Sequence, residues 1–104
     1  MSDCIFCQIS SKEKEADIIF EDDRVVVFKD IKPSAKVHLL VVPKKHIQSI
    51  KDINEPDCEL MGELIFTAKK IAEEQGLAGY KLLFNVGRDG GQIVDHIHMH
   101  LLAN

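Results

Sequence analysis

Residues His96 to Leu102 read His-Ile-His-Met-His-Leu-Leu, a run of imidazoles separated by single aliphatic side chains. Alternation with a period of two is that of an extended strand, so His96, His98 and His100 share one face while Ile97, Met99 and Leu101 share the other. At about 3.3 Å per residue, neighbouring rings root about 6.6 Å apart, and His96 and His100 about 13 Å apart. One metal ion could take an adjacent pair of such rings, but hardly the whole row. The spacing suits a job in which each ring acts on a different part of an extended group, such as a phosphate and the group that leaves it. Stability alone does not favour the arrangement, because buried imidazoles lose hydration and repel one another once two are charged.

A second chemical feature opens the chain. Cys4-Ile5-Phe6-Cys7 has the spacing that lets two thiolates take adjacent corners of a tetrahedral zinc site. Two ligands make half a site, and no second Cys-x-x-Cys follows, so a zinc ion would need histidines from elsewhere, with His38, His46 and His96 as candidates. A redox dithiol or a pair of structural thiols beside a short N-terminal helix are the other readings.

Composition narrows what surrounds these residues. The chain has 104 residues, 45% of them apolar, which suits one domain over residues 1–104 with a single modest core. A formal net charge of −4 is the wrong sign for holding a nucleic acid polymer, while leaving a small anionic ligand possible in a local pocket. No run approaches the length of a membrane span, and the first ten residues lack the apolar core of a secretory signal. With three cysteines, an odd number, the expected location is the cytoplasm, and the expected partners include neither membranes nor nucleic acids.

The elements that must position the histidines follow from periodicity. Ile18–Glu21 and Arg24–Lys29 read as a hairpin turned at Asp22 and Asp23. Lys36–Val42 reads as a third strand closed by Pro43, with Val37, Leu39 and Val41 on one face and His38, Leu40 and Val42 on the other. From about Glu55 to Gln75, apolar residues recur at steps of three and four, with Pro56 in the first turn and Gly76 or Gly79 at the end, which predicts one long packing helix. Tyr80–Val86 reads as a fourth strand. The glycine-rich loop Gly87-Arg88-Asp89-Gly90-Gly91-Gln92 then leads into the histidine strand, and antiparallel pairing would bring Asn85 beside the start of that strand. The expected fold is α+β: a five-stranded antiparallel sheet with one long helix against a face and a short N-terminal helix.

Taken together, His96-Ile97-His98-Met99-His100-Leu101-Leu102, Cys4-Ile5-Phe6-Cys7, Phe20-Glu21-Asp22, Asp30-Ile31, His38 and Asn85 resemble the histidine triad family, in its Hint branch, across nearly the whole chain. The resemblance implies a homodimer that binds purine nucleotides and cleaves nucleoside phosphoramidates through a nucleotidyl-histidine intermediate. It implies that His98 is the nucleophile, that His100 contacts the phosphate or leaving group, and that His38 supports the row. Asn85 and the loop at Gly91 and Gln92 would hold phosphate oxygens. Asp30 would accept from ribose hydroxyls, and Ile5, Phe6, Phe28 and Ile31 would enclose the base. Zinc-binding relatives imply a structural Zn2+ on Cys4, Cys7, His46 and His96. Ile93 stands where many relatives carry a serine that contacts the phosphate or leaving group, and the sequence stops at Asn104 where relatives generally continue. Two other activities therefore compete with phosphoramidate cleavage: hydrolysis of dinucleoside polyphosphates or nucleotidyl anhydrides, and nucleotide binding by a zinc-stabilised module with little turnover.

Overall fold

The computed structural model describes residues 3–104. Residues 1 and 2, which belong to the expected domain span and to the N-terminus read as lacking a secretory signal, lie outside the described residues. The chain runs α1 (Ile5–Ser10), β1 (Ile18–Glu21), β2 (Val25–Lys29), β3 (Val37–Pro43), α2 (Cys58–Glu74), β4 (Lys81–Phe84) and β5 (Met99–Ala103). The strands form one antiparallel sheet in the order β1-β2-β3-β5-β4, which puts the histidine strand between β3 and β4.

Alternating side chains give the sheet two apolar faces. Val25, Val27, Leu39, Val41, Met99 and Leu101 pack on one side against Leu60, Leu64, Ala68 and Ile71 of α2. Val26, Phe28, Leu40 and Val42 pack on the other against Phe6 and Ile9 of α1. The faces expected for β3 are those observed, and His38 lies on the α1 side with Leu40 and Val42. Leu64 is wholly buried at the centre of the α2 layer. Its replacement by alanine is expected to cost about 2–5 kcal/mol, read as a lower urea midpoint at unchanged slope.

The ends of β2, β3 and β4 differ from expectation by one or two residues, and the starts of α2 and of the histidine strand by three. The helical pattern predicted from Glu55 begins as a tight 3-10 turn, Glu55–Asp57, and becomes α-helical only at Cys58. The Asn54 backbone amide donates to Asp57 Oδ2 at 2.9 Å in a reciprocal capping box, which tightens that first turn around Pro56. The exposed flank of α2 carries Ile65 and Phe66, so the buried stripe runs through Leu60, Leu64, Ala68 and Ile71 and omits Ile65.

The most consequential difference is in the histidine strand. Ladder pairing starts at Met99, three residues later than the alternation predicts. Upstream of it, the His96 amide bonds to the Val94 carbonyl at 2.9 Å and the Ile97 amide to the Ile47 carbonyl at 2.8 Å. The first bond closes a local turn, and the second ties Ile97 to Ile47, next to His46, instead of to a neighbouring strand. Ile97 still buries on the α2 face, so the alternation of sides survives outside the sheet.

Candidate active site and metal centre

Helix α1 has only six residues and could not persist alone, so both of its faces depend on what they meet. Cys4, its N-cap, and Cys7 are three apart and point the same way. Phe6 and Ile9 turn to the sheet. One short helix thus borders two sites.

On the cysteine side, Cys4, Cys7, His46 and His96 bring one ligand atom each within 4.8 Å of one another. Cys4 Sγ lies 3.3 Å and Cys7 Sγ 3.6 Å from His96 Nδ1, Cys7 Sγ lies 3.3 Å from His46 Nδ1, and the two Nδ1 atoms are 3.1 Å apart. A zinc tetrahedron with Zn–S of about 2.3 Å and Zn–N of about 2.05 Å has S···N edges of about 3.6 Å and N···N edges of about 3.3 Å, so the four residues fit that ion in donor type and spacing. The outer hydrogen bond also fits. His96 Nε2–H donates to the Pro43 carbonyl at 2.7 Å, which leaves the Nδ1 lone pair facing the cluster. Burial, reinforced by the neighbouring His46 and His98, pushes His96 down to about 4 despite the Pro43 carbonyl, so the ring is neutral at physiological pH.

On the other side of α1 is a cavity of about 480 Å³. Ile5, Phe6 and Phe28 form part of its wall, with Ile9, Ala16 and Leu40. Phe6 meets Phe28 edge-on with ring centres 5.4 Å apart and meets His98 at 5.1 Å. His98 and His100 also line the cavity, as do Asp30, Ile31, Asn85 and Gly91.

Backbone groups determine which nitrogen of each ring carries the proton. A carbonyl can only accept, so the 2.8 Å bond between His98 Nδ1 and the His96 carbonyl places the proton on Nδ1 and leaves a lone pair on His98 Nε2. At the far end of the row, the Ser34 amide donates to His38 Nδ1 at 3.0 Å. A neutral His38 must then be protonated on Nε2, which lies 2.8 Å from His100 Nδ1 and 3.3 Å from Asp30 Oδ2. His100 Nδ1 is therefore an acceptor, and its own proton sits on Nε2. Burial holds His98 and His100 below the ordinary imidazole range, with the charges of His98 and His38 adding to the effect at His100 and Asp30 opposing it at both. The result is a lone pair at His98 and a donor at His100. Asp30, His38 and His100 also have metal-like spacing, but a metal on His38 Nε2 would require the proton to move to Nδ1, against the Ser34 amide.

Two expected site residues lie behind the cavity wall, His38 in the supporting place expected for it and Gln92 away from the phosphate. His38 is 8% exposed and does not line the cavity; it acts on His100 from behind. Gln92 is 3% exposed and also lies outside the cavity wall, which corrects its expected contact with phosphate. Its Oε1 accepts from the Gly87 amide at 2.9 Å, and its Nε2 donates to the carbonyls of Gln48 at 2.6 Å and Val94 at 2.9 Å. All of its amide chemistry is used to fasten the glycine loop. In that loop Gly91 has φ +87°, a left-handed conformation that favours glycine, and a Cβ there would come within 3.4 Å of Asn85 Nδ2. Asn85 Nδ2 itself donates to the Gly90 carbonyl at 2.9 Å. Gln92→Ala would strand buried polar groups, so it is expected to cost roughly 2–4 kcal/mol in chemical denaturation.

Ile9, Ala16, Leu40 and Val94 were not singled out from the sequence. Two of them carried a readable signal: Ile9 falls one helical turn after Ile5 and Phe6, and Leu40 shares the strand face of His38.

Known proteins share this sequence and fold. The family model described as the scavenger mRNA decapping enzyme C-terminal binding domain matches residues 3–104. The chain is 42% identical over 104 residues to protein HitA of Neisseria gonorrhoeae, covering 99% of this chain and 97% of that one. It is 44% identical over 101 residues to the purine nucleoside phosphoramidase of Escherichia coli K12, covering 95% and 85%. Among solved structures, a HIT family hydrolase from Legionella pneumophila superposes with a TM-score of 0.96 at 48% identity, covering 98% of this chain and 93% of that one. A histidine triad protein from Clostridium difficile superposes at 0.97 with 42% identity, covering 100% and 92%.

Proposed function

Because this chain belongs to the histidine triad family, we propose that it is a purine nucleotide-binding hydrolase that cleaves the P–N bond of nucleoside phosphoramidates. The observation that carries this reading is the pair of opposite tautomers at His98 and His100, which both line one cavity. A nucleophile and a donor side by side are what displacement at phosphorus needs.

His98 Nε2 attacks the α-phosphorus while the P–N bond breaks in line with it. The departing nitrogen keeps the electron pair of that bond and takes a proton from solvent at the mouth. The His98–phosphorus bond forms with the Nδ1 proton still held by the His96 carbonyl, which stabilises the positive charge on the ring. Water then attacks the adduct, the His98–phosphorus bond breaks, nucleoside monophosphate leaves, and the protons of the water return to solvent. His100 Nε2–H supports charge on the phosphate oxygens or the leaving group, held by His38. Asn85, whose Nδ2 keeps a second hydrogen beyond its bond to Gly90, faces the same charge, while the amides of Gly90, Gly91 and Gln92 are spent on carbonyls of the loop.

The nucleoside lies between Ile5, Phe6, Phe28 and Ile31, with the ribose at Asp30. One Asp30 oxygen accepts from the Lys32 amide at 2.9 Å and the other faces His38, so the carboxylate arrives already oriented. Cys4, Cys7, His46 and His96 hold a structural Zn2+, which supplies a cross-link between α1 and the start of the histidine row and takes no part in the chemistry. The exposed edge of β4, which carries Leu82 and Leu83, supports pairing of two sheets in a homodimer. Among the described residues no helix is long and apolar enough to cross a membrane. A cytoplasmic location belongs to the same reading, since reduced cysteines are the form that binds zinc.

The test is steady-state hydrolysis of an adenosine 5′-phosphoramidate by the metal-loaded protein, with mass spectrometry of samples quenched in alkaline denaturant, where a P–N adduct survives. Turnover together with an adenylylated protein supports the reading. Nucleotide binding with neither turnover nor adduct would overturn it.

A further inference from the structure

Two charged residues on the cavity wall have no part in the reaction assigned above. Lys14 and Glu15 both line the cavity, both are exposed, and neither side chain has a hydrogen bond or ion pair among the described residues. The other cations of the wall are placed differently. Lys29 Nζ meets Asp17 Oδ2 at 3.3 Å, and Lys32 follows Ile31 with its amide bracing the Asp30 carboxylate.

Backbone bonds hold Lys14 and Glu15 at the end of the cavity away from the histidines. The Glu13 and Lys14 amides both donate to the Gln8 carbonyl, at 2.9 and 3.1 Å, which fastens this segment to the last turns of α1. Beyond it, the Lys29 amide donates to the Asp17 carbonyl at 3.1 Å, so the chain enters β1 alongside Phe28. Register then sets the span. Ile18, Phe28, Leu40 and His100 lie opposite one another across β1, β2, β3 and β5. With strands about 4.8 Å apart, the β1 end of that row is about 14 Å from the histidine strand. A nucleotide with its phosphorus at His98, its ribose at Asp30 and its base between Phe6 and Phe28 turns the outer edge of the base toward the Lys14–Glu15 segment. Resting on that reading, we propose that Lys14 and Glu15 select guanine over adenine, with Lys14 donating to O6 and N7 and Glu15 accepting from N1–H and the 2-amino group.

The physical basis is the sign of each partner. An ammonium has only donors and a carboxylate only acceptors. Guanine offers two adjacent acceptors to the first and two adjacent hydrogens to the second, so both charges are satisfied together. Adenine has no 2-amino group, its N1 turns a lone pair toward a carboxylate, and its 6-amino group sets a donor beside N7 where the ammonium needs an acceptor. The apolar wall of Phe6, Ile9 and Phe28 grips either purine alike, so the choice between them falls to the charges at the edge. Because Lys14 and Glu15 are exposed, their bonds to the base compete with water and the preference stays moderate.

The experiment titrates the metal-loaded protein with guanosine, inosine and adenosine 5′-monophosphates, using the parent, Lys14→Met, Glu15→Gln and the double variant. The parent is expected to bind guanosine monophosphate about tenfold more tightly than adenosine monophosphate, with inosine monophosphate, which lacks the 2-amino group, between them. Each single substitution should narrow the guanosine-to-adenosine ratio to about threefold, and the double variant to within about twofold of no preference. The ligands differ only at the purine edge, so their ratio cancels any general damage to the cavity. Equal affinities in the parent, a preference for adenine, or an unchanged ratio in the double variant would overturn the inference while leaving nucleotide binding in place. Failure of the parent to bind any of the three would instead overturn the purine-nucleotide reading, and this inference with it.

Discussion

Replacing His98 by alanine is expected to lower kcat on an adenosine phosphoramidate by at least about a thousandfold and to remove the nucleotidyl adduct altogether. The size follows from the route. On the proposed route, loss of His98 Nε2 leaves no nucleophile to split the displacement into two steps, and water would have to attack the phosphoramidate directly. Binding of adenosine monophosphate should change far less, because the apolar wall of Phe6 and Phe28 and the carboxylate of Asp30 remain. A kcat collapse with an intact Kd is the expected signature. Turnover by the variant within tenfold of the parent would mean that another group attacks phosphorus. The His98 ring is 8% exposed and packs against Phe6, so the alanine variant also leaves a gap. A His98→Asn variant, which fills more of that space without a ring nitrogen, should be equally inactive.

Stripping the metal is expected to produce the largest loss of stability. A ligand held at a thousand times its Kd contributes about 4 kcal/mol by mass action. At roughly 4–8 °C per kcal/mol for a domain of this size, a strong chelator should lower Tm by about 15 °C or more. The effect reaches the cavity because α1 is too short to hold itself. Its Cys4 and Cys7 are tied to His46 and His96, and its Phe6 and Ile9 form cavity wall. Chelation should therefore weaken nucleotide binding along with stability, and added Zn2+ should restore both. Thermal melts with and without chelator, followed by nucleotide titration, read the two effects. An unchanged Tm would remove zinc from the fold.

Much of the architecture was legible because secondary structure is written in local periodicity. The β3 pattern Val37-His38-Leu39-Leu40-Val41-Val42 gave both faces correctly, since a strand turns each successive side chain over whatever lies beyond it. The helix was found for the same reason. Its start was misplaced by the capping box of Asn54 and Asp57, a feature of local hydrogen bonding that the apolar stripe does not record. Gln92 shows a different limit. A polar residue after a glycine loop looks like a ligand contact, but its partners include the Gln48 carbonyl, 44 residues away. Only packing could make that side chain a buried brace.

The sequence by itself determined that His96, His98 and His100 alternate with core residues, that Cys4 and Cys7 stand at a Cys-x-x-Cys spacing, and that a glycine loop precedes the row. Tertiary structure decided the division of labour. His96 turns Nδ1 to the cysteines because Pro43 offers its Nε2 a carbonyl; His98 exposes Nε2 because the His96 carbonyl holds Nδ1; and His100 presents a donor because the Ser34 amide sets His38. An imidazole has two nitrogens and one proton when neutral, and nothing in its own residue type says which nitrogen keeps it. That choice belongs to the hydrogen-bond partner, and the pairing of β3 with β5 brings two of the four, Pro43 to His96 and His38 to His100, from distant parts of the chain.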